Sequence, residues 1–210
     1  MIWFRNIAPG LLVVIVALAT GQAVQEKAQA PAQTPAAQNN ATVSASEQKP
    51  SPQTEKLLKS LGGVWSIRES LAPQAPSSNG VTGKGEIVWR RGPGGFSVIE
   101  DYRSRQGSQD ITGMGVFWWD EAAQGYRTIW CDSTNPGGCI SFKNVVRWAG
   151  TELSLVEDYE SNGKKFTFKE VFNNITPDAF TQTLYGSESG KELKVDQTIE
   201  ATRSTSETPK

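Results

Sequence analysis

The chain of 210 residues contains no histidine, and that absence removes more chemistry than any residue present adds. Ser-His-Asp and Cys-His catalysis need an imidazole as base, and His-ligated zinc or copper and a proximal haem histidine need one as ligand. No metal and no cofactor is therefore expected. Carboxylates survive the exclusion: Glu100, Asp101, Glu157, Asp158 and Glu160 all stand in runs that alternate like strands. Adjacent strand residues face opposite sides, so Glu100 and Asp101 cannot work as a pair. Asp158 and Glu160 do share a face, and two carboxylates so placed can hydrolyse glycosides. Leu153 and Leu155, however, mark the other face as the buried one, which leaves this pair in solvent, and no catalytic residue is assigned.

The same alternation carries polar groups inward. Glu157 and Tyr159 follow Leu153 and Leu155, and Glu100 and Tyr102 follow Phe96 and Val98. Polar groups turned into a core must be paired or hydrated, since leaving them bare costs several kcal/mol. Two readings stay open. One is a local network, for example Glu100 or Glu157 with Arg127, that holds the strands in register. The other is a mostly apolar pocket in which these groups orient a small ligand. Trp65, Trp118 and Trp130 supply aromatic surface to such a pocket, so its candidate lining is Trp65, Glu100, Tyr102, Trp118, Arg127, Trp130 and Tyr159. Trp118 and Trp119 point to opposite faces, so one of them lies outside the core or under a helix.

The two cysteines of the chain, Cys131 and Cys139, bracket Asp-Ser-Thr-Asn-Pro-Gly-Gly. The turn residues Asn135, Pro136, Gly137 and Gly138 can fold the chain back so that the sulfurs meet at the base of a hairpin. Closing so short a loop is worth about 2.5 kcal/mol in the chain-entropy model. Two reduced thiols are the alternative, and the spacing excludes a catalytic Cys-x-x-Cys.

These residues need elements to position them. Leu57, Leu58 and Leu61 lie at helical spacing behind a cap at Thr54, which predicts a helix of two turns over 54–61. After Gly62 and Gly63 the period drops to two, and strands are expected over 65–71, 83–90, 96–103, 111–120, 126–132, 140–148, 153–160, 164–172, 179–185 and 192–203. Asn162-Gly163 is the clearest hairpin turn. Connections are short, so consecutive strands are expected to be antiparallel neighbours. An open meander of so many strands exposes two edges, so the expected fold is all-β: a closed antiparallel up-and-down barrel of about ten strands with a short N-terminal helix. A two-sheet sandwich is the alternative.

The remainder of the chain sets its context. Arg5, an apolar run from Leu11 to Leu18, and small residues at Ala17, Ala19, Gly21 and Ala23 form the layout of a secretory signal. The apolar run is shorter than the roughly 20 residues a spanning helix needs. The expected organisation is a signal peptide over 1–23, an Ala/Pro/Gln-rich spacer over 24–53, one domain over 54–204 and a tail over 205–210, with export to the periplasm or medium and no integral membrane segment after cleavage. A formal net charge of −1 argues against nucleic acid as a partner.

Motif order adds a resemblance. Leu61-Gly62-Gly63-Val64-Trp65 is similar to the Gly-x-Trp opening of lipocalin-like (calycin) barrels, where the tryptophan closes the barrel floor. Gly94-Gly95-Phe96, Asp101-Tyr102, Gly113-Met114-Gly115, Trp119-Asp120, Tyr126 and Trp130-Cys131-Asp132-Ser133 follow in an order that resembles a family of uncharacterised, largely bacterial domains with a lipocalin-like barrel fold. The resemblance covers most of 54–204 and implies the fold alone. Trp118, in place of a small residue, and the two cysteines depart from the pattern.

Three functions fit these features. The first is an exported barrel that binds a small apolar or amphipathic ligand without covalent chemistry. The second is a filled barrel that meets a protein partner, and the third is a small acid–base enzyme using Glu, Asp or Tyr. A binder calls for a pocket of at least about 300 Å³, a scaffold for a filled interior, and an enzyme for a buried, shifted carboxylate with a second polar group in reach. The oligomeric state is left open.

Overall fold

The computed structural model describes residues 49–73 and 79–204. The expected signal peptide, the expected spacer up to Gln48 and the expected tail lie outside the described residues.

Helix α1 spans Pro52–Leu61 and starts two residues before the expected 54. Its cap is Ser51, whose hydroxyl accepts the Gln53 N–H at 3.2 Å, and Pro52 occupies the first turn, where a missing N–H costs nothing. Thr54, the expected cap, is buried inside the helix, and its Oγ1 has no partner among the described residues. Leu57 and Leu61 are fully buried.

Eleven strands follow: β1 (Gly63–Leu71), β2 (Val81–Arg91), β3 (Ser97–Gln106), β4 (Gln109–Asp120), β5 (Gly125–Asp132), β6 (Ile140–Ser141), β7 (Arg147–Ala149), β8 (Glu152–Ser161), β9 (Lys164–Asn173), β10 (Ala179–Glu188) and β11 (Lys194–Arg203). All belong to one antiparallel sheet in the order β6-β5-β4-β3-β2-β1-β11-β10-β9-β8-β7. The first and last strands are zipped together, from Trp65↔Arg203 to Leu71↔Gln197. Asn162-Gly163 turns β8 into β9 with positive φ at both residues. The Cys131–Cys139 bond closes the loop between β5 and β6.

The closed barrel expected from the sequence is corrected on one point: the sheet curls through 277° and stays open. The stretch expected as one strand over 140–148 is two fragments, β6 and β7, which end the sheet on opposite sides. Val145 and Val146 are both buried, and two consecutive inward residues break the alternation a strand requires. Residues 142–146 cross the gap as a strap. Val146 and Tyr126 exchange backbone hydrogen bonds at 2.9 Å, the Asn144 N–H donates to Glu157 Oε2 at 2.9 Å, and Asn144 Nδ2 donates to the Val156 carbonyl at 2.7 Å. Phe142 reaches through to stack on Phe168, with centroids 6.0 Å apart.

The floor of the barrel is apolar and aromatic. Trp65 is fully buried and donates its Nε1–H to the Leu61 carbonyl at 2.6 Å, which ties the helix to β1. Its ring meets Phe180 edge-on at 4.8 Å and carries the Arg203 guanidinium at 4.1 Å. Phe172 links Phe180 to Trp89, and Trp89 meets Phe117 at 5.1 Å. Such rings bury large area and favour tilted or edge-on contacts. Among the described residues no helix is long and apolar enough to cross a membrane.

Candidate functional site

Above this floor the interior turns polar. Glu69, Glu100, Gln106, Gln182 and Gln197 are each at most 5% exposed, and register carries them inward from β1, β3, β10 and β11. The same alternation that buries Ile67 and Leu71 buries Glu69, and that of Phe180 and Leu184 buries Gln182.

Two carboxyl clusters result. In the first, Glu69 accepts from Tyr102 Oη at 2.5 Å, Gln106 Nε2 at 2.7 Å and Ser104 Oγ at 2.9 Å. Burial, together with the neighbouring Glu69, pushes the Tyr102 hydroxyl well above its ordinary range, so it keeps its proton and acts as a donor. In the second, Gln182 Nε2 donates to Glu170 Oε1 at 2.6 Å. Burial pushes Glu170 up to about 7, partly offset by that hydrogen bond. Glu100 is raised well above the usual carboxylate range, first by burial and then by the charges of Glu170 and Asp101.

Between the clusters lies a void of about 10 Å³, lined by Glu100, Tyr102, Trp130, Gln182, Gln197 and Ile199. That is the space of about one water molecule. Tyr102 and Trp130 meet edge-on there, with centroids 5.9 Å apart. Trp130 lies across β4 because Gly113 and Gly115 face it: a β-carbon on Gly113 would stand 2.4 Å from the indole, and one on Gly115 would stand 3.1 Å from Glu100 Oε2.

The structure thus brings Glu100, Tyr102 and Trp130 together at this void. Trp65 is inward but in the floor, held by Leu61 and Arg203. Tyr159 is half-buried, stacked on Phe166 at 5.5 Å, and pushed up to about 12 by burial and then by Asp196. Two expectations are corrected. Trp118 pairs with Ser97 on the outer face and is 38% exposed; its neighbour Trp119 is the one that meets Tyr126. Arg127 also faces outward, where it donates to Asp120 at 2.8 Å and to the Lys143 carbonyl at 2.7 Å, so it pairs with neither Glu100 nor Glu157. Phe96 lies outside β3, in the turn before it, and is 45% exposed. Asp158 and Glu160 are exposed, as their alternation requires.

Sequence reasoning passed over Glu69, Glu170, Gln182, Gln197 and Ile199. The signal was present: each of the four polar residues stands two residues from a large apolar residue in a strand, as in Phe168-x-Glu170-x-Phe172 and Gln197-x-Ile199. Chemically, the arrangement holds protons and offers hydrogen bonds. Glu170 meets the condition of a buried, shifted carboxyl with a polar neighbour, but that neighbour is an amide, which neither gives nor takes a proton at ordinary pH.

No family model matches the chain. No curated protein matches it either. Among solved structures, Rv2717c from M. tuberculosis aligns over 74% of this chain and 99% of its own, at 14% identity and a TM-score of 0.49. The S-type phycobiliprotein lyase CPES from Guillardia theta aligns over 73% of this chain and 93% of its own, at 10% identity and a TM-score of 0.44.

Proposed function

We propose that the protein is an exported, lipocalin-like binding module that holds a small amphipathic molecule non-covalently, its polar end between Glu100, Tyr102, Trp130, Gln182 and Gln197. The observation that carries this reading is a void inside the barrel with the buried, unpartnered Gln182 Oε1 and the Glu100 carboxyl on its wall. A core built only for stability would place Leu or Val at these positions, because buried carboxyl and amide groups cost free energy that well-packed apolar side chains do not. Perturbed ionisable groups gathered at a cavity are the usual mark of a functional site. Export is supported by the layout of the first 23 residues and by the Cys131–Cys139 bond, which suits an oxidising compartment.

One observation favours a second reading. The void is far below the roughly 300 Å³ of a preformed ligand pocket, as in a filled barrel that acts through its surface. Native mass spectrometry of protein purified from its natural source without added ligand separates the two. A reproducible small-molecule adduct that is lost in Trp130→Ala and Tyr102→Phe is the expected result. A clean apo mass across preparations would favour the filled barrel.

A further inference from the structure

The polar groups around the void fall into two sets once each hydrogen bond is assigned. Three donors of the wall point elsewhere: Tyr102 Oη–H to Glu69, Trp130 Nε1–H to Asp132 Oδ2 at 2.7 Å, and one N–H of Gln182 Nε2 to Glu170. The acceptors do not. Gln182 Oε1 is buried and has no hydrogen-bond partner among the described residues, and its side chain, 2% exposed, lines the void. The Glu100 carboxyl lines the same void, and none of the salt bridges among the described residues involves it. Gln197 can turn either end of its amide toward the space. The rest of the wall is Ile199 and the two rings of Tyr102 and Trp130, whose faces attract cations.

A space the size of one non-hydrogen atom, bounded by free acceptors and aromatic rings, is complementary to a cation that carries several N–H donors. We infer that the void seats the primary ammonium group of an alkylamine, with Glu100 as its counter-ion, Gln182 Oε1 as a second acceptor, and Tyr102 and Trp130 as the aromatic wall. This inference rests on the binding reading above and names its ligand class. Burial favours the protonated form of Glu100, and an ammonium group supplies the neighbouring cation that lets it ionise, whereas an anionic head supplies none and meets the acceptor at Gln182. A neutral hydroxyl would meet only part of the acceptor set and would leave the carboxyl without a cation. The alkyl part needs the side chains around the void to give way, so the head group supplies the selectivity.

The test is isothermal titration of the full chain with hexylammonium chloride, 1-hexanol and sodium hexanoate, repeated on Glu100→Gln and Gly115→Ala. Glu100→Gln keeps the shape and removes the charge. Gly115→Ala sets a methyl 3.0 Å from the Phe117 ring, 3.1 Å from Glu100 Oε2 and 3.4 Å from the Trp130 indole, so it presses on two residues that line the void. Far-UV circular dichroism of both variants checks that they fold. Saturable binding of hexylammonium is expected, with hexanol and hexanoate weaker by about tenfold or more, and a loss of about tenfold or more in each variant, the scale of one charge-assisted hydrogen bond. Hexylammonium binding that is undiminished in both folded variants would overturn the inference by placing the amine elsewhere. Binding of hexanol or hexanoate in preference to the amine would overturn the ligand class and leave the binding module standing. Failure of all three to bind would mean that the void holds water only, and the adduct measurement would then judge the binding module by itself.

Discussion

A carboxyl group buried without a cation fixes the direction in which pH acts on folding. Glu170 titrates at about 7 in the folded protein, against 4.5 when free, so between those values the folded state holds a proton that the unfolded chain has released. Stability is then fully present below about pH 4.5 and falls as pH rises through 7, and Glu100 acts in the same direction. The Glu170 contribution is on the order of 3 kcal/mol. Thermal melts should therefore show a higher midpoint at pH 5 than at pH 8, with the difference reduced in Glu170→Gln; a flat midpoint across that range would contradict the assignment. The sequence made part of this site legible. Glu100, Tyr102 and Trp130 follow from strict alternation, and so would Glu170 and Gln182, had polar residues been read with the same rule as apolar ones. Arg127 shows the opposite error. It stands three residues from Trp130 on one strand, an odd spacing, so the two could never have shared a face.

At the scale of elements, β4 is shaped by what it lacks. Gly113 and Gly115 present no side chain to the interior, and the Trp130 indole lies in the space they leave. Gly113→Ala should force that ring out of place and lower stability by about 1–3 kcal/mol, the usual cost of overpacking. Urea unfolding monitored by tryptophan fluorescence measures it, and an unchanged midpoint would mean that the ring has another place to go. Most strands were legible because each couples a period of two to a turn signal at both ends. The strap over 142–146 was not, because Val145 and Val146 look like strand residues by type, and only their consecutive burial reveals the bend. The cap of α1 was misplaced for a related reason: Ser51 and Thr54 both suit the role, and the choice fell to Pro52, which fits the first helical turn.

At the scale of the whole molecule, openness was not legible, because it depends on the summed curl of eleven strands and on two terminal fragments of two and three residues. The gap has a measurable signature. Pairing of β8 with β7 ends at Ser154, while β1 is paired on both sides from Trp65 to Leu71. Hydrogen exchange should therefore be faster over Val156–Ser161 than over β1, and faster still in Asn144→Ala, which removes the side-chain bond from the strap to the Val156 carbonyl. Equal protection in the two strands would show that the strap seals the gap as well as a strand does. The pairing of β1 with β11 has a different consequence, for synthesis. The first strand cannot acquire one of its two neighbours until the last has been made, so contact order is high and the sheet is completed late. A chain stopped before Lys194 leaves β1 and β10 as two bare edges facing one another across an absent strand. Edges of that kind recruit other chains, so early termination yields aggregate rather than a smaller barrel.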